Sequence, residues 1–181
     1  MAKKYQVIYA DPPWPHLGRY RSRTRTRDTK HYPRMSTQAI GQLNVKDISD
    51  VNSVLFLWTT DGRLDKAIEV MKAWGFEYVT VAFVWVKLTN GKPVVIVSPW
   101  FMKSTELCLF GTKGRPHKLL GTRNTRQLIV CPRSTHSTKP EIARKRIEKM
   151  FPDTRKLEFF ARKKSPGWDV YGDEVESDIV L

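Results

Sequence analysis

Apolar residues in this chain occur as short runs, and the segments between them repeat with a helical period. Tyr5-Gln6-Val7-Ile8-Tyr9-Ala10 predicts a buried strand, ended by Pro12 and Pro13, which lack the N–H that a strand ladder needs. Residues 54–58 (Val-Leu-Phe-Leu-Trp) predict a second buried strand, and the runs at 78–86, 106–110 and 128–131 predict three more. A last strand is expected over 155–161. Between them, 36–43 reads as a short helix capped by Ser36. Residues 62–74 place Leu64, Ala67, Ile68, Met71 and Trp74 on one helical face, with Gly75 as the stop. Residues 139–150 predict a basic amphipathic helix, with Thr138 as N-cap, Glu141 as its capping-box partner and Pro140 in the first turn. Strands alternating with helices predict an α/β fold with a sheet covered on both faces.

Length and charge sharpen this picture. The 181 residues, 40% hydrophobic, fit one domain spanning 1–181. The longest apolar run, 81–86, is far short of the roughly 20 residues of a membrane helix. Residues 1–4 lead straight into the first strand, so no signal peptide is expected. The net charge is +14, unevenly placed. The long polar loop 15–35 holds Arg19, Arg21, Arg23, Arg25, Arg27 and Lys30 against Asp28, and 112–126 holds Lys113, Arg115, Lys118, Arg123 and Arg126 with no acid. The sign reverses toward the end, through Asp169, Asp173 and Glu174 into an acidic tail over 175–181. Two basic loops on so cationic a chain predict a polyanionic partner. Cys108 and Cys131 form no Cys-x-x-Cys pair and no metal spacing with His16, His31, His117 or His136. Buried reduced thiols, a cytoplasmic location and no metal are the expectation.

Asp11-Pro12-Pro13-Trp14 follows the first strand directly, at the end where open α/β sheets bind ligands. An amino group on a flat aromatic ring is a poor nucleophile because its lone pair is delocalised into the ring. The Asp11 carboxylate and the Pro12 carbonyl can accept its two hydrogens, drawing the nitrogen toward sp³ geometry. Pro13 and Trp14 offer the ring a surface to stack on. A strand-ending proline turn with a buried tryptophan is the alternative.

The motif on an N-terminal strand resembles the MT-A70 family of adenine-N6 methyltransferases. Further landmarks follow in order: Tyr32-Pro33-x-Met35-Ser36, Phe56-Leu57-Trp58, Trp85-Val86-Lys87, Glu106 with Gly111, His136-Ser137-x-Lys139-Pro140, Glu158 to Arg162, and Pro166-Gly167-Trp168-Asp169. The resemblance covers about residues 5–175. It implies a Rossmann-like class I methyltransferase, a three-layer sandwich with a mostly parallel central sheet and permuted motif order, which accounts for the lack of any Gly-x-Gly-x-x-Gly. It implies S-adenosylmethionine as methyl donor, held by Lys139 at its carboxylate, with Asp11 near its amino group. It places Phe160 and Arg162 in the cofactor pocket, Asp173 and Glu174 at ribose and adenine, and Tyr32 beside the acceptor base. The family often has Asn where this chain has Asp173, and the acid that some members place ahead of the first strand is missing from residues 1–4.

The expected activity is methylation of adenine N6 in nucleic acid, DNA ahead of RNA, with the basic arm from Arg19 to Lys30 on the substrate. The rival is a non-catalytic nucleic-acid-binding subunit on the same fold; a homodimer or partner subunit is compatible with either. No general base is required, since the methylated nitrogen can lose its proton to water.

Overall fold

A computed structural model describes residues 3–15, 34–98, 100–133 and 138–181. The Arg19–Lys30 arm, Tyr32, His31 and His136 lie outside them. The elements in order are β1 (Tyr5–Ala10), α1 (Thr37–Gly41), α2 (Val45–Ile48), β2 (Ser49–Thr59), α3 (Leu64–Ala73), β3 (Glu77–Thr89), β4 (Lys92–Pro93), β5 (Thr105–Lys113), β6 (Leu128–Pro132), α4 (Glu141–Met150), β7 (Lys156–Phe159) and β8 (Asp169–Tyr171). Single 3-10 turns occupy Asp61–Arg63 and Pro116–Leu119.

One sheet runs β4-β3-β5-β2-β1-β7-β8, with β6 also on β3. The pairs β1·β2, β1·β7, β7·β8 and β3·β6 are parallel. The pairs β2·β5, β3·β5 and β3·β4 are antiparallel. The mixed sheet follows from connection length: the long hairpin between β3 and β5 needs no helix, whereas the β1–β2 crossover carries α1 and α2 and the β6–β7 crossover carries α4.

The alternation of β2 shows why both faces are covered. Leu55 and Leu57 pack with Ile40, Ala67, Val70, Met71 and Trp74 of the α1–α3 layer. Val54, Phe56 and Trp58 turn the other way, onto Ala143, Ile147 and Phe151 of the α4 layer. The three-layer Rossmann-like arrangement is therefore present. Chain leaves β1 through α1 and α2 on one face, while β7 is reached through α4 on the other. The end of β1 is thus a topological switch point, where α/β sheets open a crevice.

Several local expectations shift. β2 begins at Ser49 rather than 54, and α2 and β8 are too short for periodicity to announce. Ser36 caps α1 as expected, accepting from the Ala39 N–H at 3.0 Å. α4 starts at Glu141, with Pro140 as its N-cap and no side-chain capping bond, so Thr138 is not the cap. Proline disfavours helical geometry in the residue before it, which keeps Lys139 out of the helix. β7 stops at Phe159 because Phe160 takes φ 67°, a left-handed conformation rare for an aromatic residue. Cys108 is buried but Cys131 only half-buried; both are free. Among the described residues no helix is long and apolar enough to cross a membrane.

Candidate active site

The catalytic candidate is a turn held from three sides. Asp11 leaves β1 with its N–H on the Phe159 carbonyl of β7, 3.3 Å away. The Trp14 N–H folds back on the Pro12 carbonyl at 2.8 Å, and its indole N–H reaches across to the Trp58 carbonyl at the end of β2, also 2.8 Å. The Pro13 carbonyl takes the Met35 N–H at 3.1 Å, tying together the neck of the 14–35 loop. Each carbonyl has two lone pairs, so Pro12 keeps acceptor capacity beyond its turn bond.

Asp11 heads a line of alternating charges. Lys139 donates to Asp11 Oδ2 at 2.6 Å and sits 3.4 Å from Glu106 Oε2; Glu106 in turn bonds Lys87. The Lys139 ammonium lies 5.7 Å from the Trp58 ring centre, and that of Lys87 lies 5.2 Å from Trp85. The Lys139 side chain is 12% exposed and that of Asp11 30%, so this is a partly desolvated cluster with a face to the cavity. Burial pushes the Asp11 carboxyl above its usual range, and the Lys139 charge only partly opposes this. Burial acts the same way on Glu106, but there Lys139 and Lys87 win and hold it below its usual range. Lys139 resists its own burial through the two carboxylates and stays firmly protonated.

Beside this line lies a cavity of about 360 Å³, lined by Tyr9, Asp11, Thr138, Lys139, Arg144, Glu158, Phe160, Arg162, Lys163 and Glu174. Its floor is a second ion cluster: Arg144 donates to Glu141 at 2.7 Å and to Glu158 at 2.8 Å, joining α4 to β7. The left-handed Phe160 lines the cavity with its ring packed against Phe159, and strain of this kind persists only where surrounding contacts enforce it. Arg162 and Glu174 face each other at 3.9 Å.

Asp11, Lys139, Phe160, Arg162 and Glu174 are thus brought together. Trp14 is fixed over the end of β2, Asp173 is exposed and outside the lining, and Tyr32 with the arm is not described. Arg144 had no role in the sequence analysis, while Glu106, Lys87 and Glu158 stood only as landmarks. The signals were there: a carboxylate opening the apolar run 106–110, and an arginine beside the buried stripe of α4.

Gly172 brings Glu174 to the cavity by close approach. A Cβ at this position would lie 2.1 Å from the Ala161 carbonyl oxygen and 2.8 Å from its nitrogen. Gly172→Ala should therefore cost about 2 kcal/mol, since overpacking against backbone cannot relax cheaply. A melting curve should show Tm falling by roughly 4–8 °C. A change under a degree would contradict the clash.

The basic segment 113–126 starts beside the first residues of β2, where Lys113 bonds Ser49 and the Arg115 N–H bonds Asn52, and reaches α4 through its later residues. The Gly121 N–H bonds the Met150 carbonyl at 2.7 Å, and Arg146 donates to the carbonyls of Arg126 and Leu128. Exposed Arg126 is thereby held beside α4, which carries exposed Lys145 and Lys149.

Known proteins resemble this chain over nearly its whole length. The type II methyltransferase M.MunI of a Mycoplasma species is 37% identical over 188 residues, which covers 96% of this chain and 78% of that protein. The human N(6)-adenosine-methyltransferase catalytic subunit METTL3 is 28% identical and the MT-A70-like N(6)-adenosine-methyltransferase of Drosophila melanogaster 29%. Each of those alignments covers 96% of this chain but only 28% and 27% of the longer relative. The MT-A70 family model matches residues 5–174, from the first residue of β1 to the last acid of the cavity wall, and the chain belongs to that family.

Proposed function

We propose that this protein transfers a methyl group from S-adenosylmethionine to the N6 amino group of adenine in DNA. The carrying observation is the Asp11 carboxylate at the end of β1, paired with Lys139 and open to the cavity that Phe160, Arg162 and Glu174 complete. The type II methyltransferase is matched at higher identity, and over more of its length, than the adenosine-methyltransferases, which favours DNA over RNA. A DNA substrate is compatible with the cytoplasmic location expected from the sequence.

The cavity suits the donor's chemistry. It offers a cation for a carboxylate in Lys139, an anion for an ammonium in Asp11, an aromatic wall in Phe160 and a carboxylate acceptor for sugar hydroxyls in Glu174. Lys139 and Asp11 would hold the amino-acid end, Phe160 and Arg162 the wall, and Glu174 the ribose. When bound, S-adenosylmethionine supplies a methyl carbon made electrophilic by its sulfonium.

The remaining work falls to the chain. One Asp11 oxygen is occupied by Lys139, and the other accepts a hydrogen from the adenine amine. The spare lone pair of Pro12 accepts the second hydrogen, which turns the nitrogen lone pair out of the ring. Trp14, pinned to Trp58, walls the base, and fixed placement of the reacting atoms supplies much of the acceleration. The extra proton on nitrogen leaves to water.

The test is to incubate purified protein with labelled donor and either DNA or RNA, digest to nucleosides, and measure N6-methyladenine. Label in deoxyadenosine supports the proposal; label confined to adenosine would move the substrate to RNA. Donor binding with neither product would favour a subunit that needs a catalytic partner. Should the arm from Arg19 to Lys30 make four to six phosphate contacts, log K against log salt should fall with a slope of about −3 to −5. A slope near zero removes the arm from binding.

A further inference from the structure

At the far end of β3 the chain doubles back in a hairpin. Asn90 and Gly91, both at positive φ, make the turn into β4, and the Val94 N–H bonds the Lys87 carbonyl at 2.8 Å. Ile96 and Lys103 then exchange bonds of 2.8 and 2.9 Å. Beyond that pair the tip presents Val97, Trp100, Phe101 and Met102, from 74% to 87% exposed. Such side chains ordinarily gain about 1.5–3 kcal/mol each by burial, so four adjacent exposed ones mark a contact surface.

Location and charge indicate what covers it. β3 runs in the same direction as β1 and β2, so the hairpin projects from the end of the sheet that carries Asp11. Lys103 bonds Asp61 at 2.8 Å, anchoring the hairpin to the turn that follows β2, the strand whose Trp58 carbonyl holds Trp14. The tip and the catalytic turn are therefore attached to one strand end. Residues 88–105 contain Lys92 and Lys103 and no acid. A second copy of a +14 chain would bring like charges together here. A nucleic-acid duplex offers phosphates to the lysines and an apolar stack to the rings.

We propose that Val97, Trp100, Phe101 and Met102 form a wedge that enters the base stack of duplex DNA and holds it open while the target adenine turns out toward Asp11. This rests on the reading of DNA adenine as substrate. A paired N6 amine cannot enter the cavity, so the base must leave the helix, at a cost of a few kcal/mol in lost stacking and pairing. Inserted apolar side chains offset that loss and stabilise the kink. Trp100 and Phe101 replace the stacking surface that the departing base removes, while the exposed Lys92 meets an adjacent phosphate.

The experiment uses the intact protein, the triple variant Trp100→Ala/Phe101→Ala/Met102→Ala and the conservative Trp100→Phe. Plasmid DNA is first mapped for N6-methyladenine with the unaltered protein. Permanganate, which oxidises unstacked thymines, is then applied to the protein–plasmid complex. Thymines opposite the modified adenines should react with the unaltered protein and with Trp100→Phe. With the triple variant that reactivity should fall roughly tenfold or more, the loss expected from removing one or two stacking contacts. Methylation of the duplex should fall by a similar factor relative to the same plasmid heat-denatured. Unchanged thymine reactivity overturns the wedge, as does equal loss on both DNA forms. A sedimentation mass halved in the variant also overturns it, because the tip would then be a contact between two copies. If the unaltered protein leaves no N6-methyladenine in either form, the substrate reading itself fails, a result seen before any variant is made.

Discussion

Asp11→Asn is expected to slow methyl transfer by roughly 10²–10³-fold, the usual cost of removing one preorganised electrostatic contact to a transition state. The substitution preserves shape, so its effect isolates charge and hydrogen-bond polarity. Lys139 donates to Oδ2 at 2.6 Å, and an amide oxygen can take over that bond. The amide nitrogen must then occupy the other position, where it presents two donors to an adenine amine that also donates. An acceptor has become a donor at the one atom that should draw the amine hydrogen away. Single-turnover rates at saturating donor are the measurement, with donor affinity by equilibrium dialysis as the control. Affinity should fall less than rate: the donor's ammonium loses the Asp11 charge, but Lys139, Phe160, Arg162 and Glu174 still line the cavity. A rate within threefold of the unaltered protein would remove Asp11 from the amine.

That position was legible in the sequence because its parts are contiguous: a strand, an acid, two prolines and a tryptophan. Lys139 and Phe160 were legible only through the family resemblance, since a lysine before a proline and an aromatic pair ending a strand have ordinary structural uses. What remained hidden was assembled by register. Glu106 reaches Lys139 because β5 runs antiparallel to both β2 and β3, setting Cys108 opposite Trp58 and Glu106 opposite Trp85. No spacing along the chain announces that. The Arg144–Glu158 pair likewise depends on α4 lying against β7, and its arginine looks from sequence like one more charge on a basic helix. The mistaken cap at Thr138 has a local cause: the capping-box pattern was present, but Pro140 imposes extended geometry on Lys139, and the helix starts later. The exposed tip of the β3–β5 hairpin lies between two predicted strands, and its apolar content gains meaning only once the sheet shows which end it occupies.

Lys139→Met should weaken methyl-donor binding by roughly thirtyfold or more, as when one member of a desolvated charge pair is truncated. Two effects combine. The donor's carboxylate loses its cation, and Asp11 and Glu106 are left near each other with Lys87 on Glu106 and the more distant Arg162 on Asp11 to oppose them. The folded state should lose about 3 kcal/mol, the lower end for breaking a buried ion pair, because Asp11 keeps contact with the cavity. The pH profile separates these effects from simple unfolding. Asp11 acts as a carboxylate, so activity falls as pH drops through its pKa. Burial has already raised that pKa, and Lys139 is the largest influence holding it down. The acid limb of the unaltered protein should therefore lie above the ordinary aspartate range near about 4. In Lys139→Met the opposing charge is gone, and the limb should move to still higher pH. Rates measured at saturating donor, on protein shown to be folded by its tryptophan emission at each pH, report the direction. A limb that stays in place or moves to lower pH would mean that Lys139 does not govern the ionisation of Asp11.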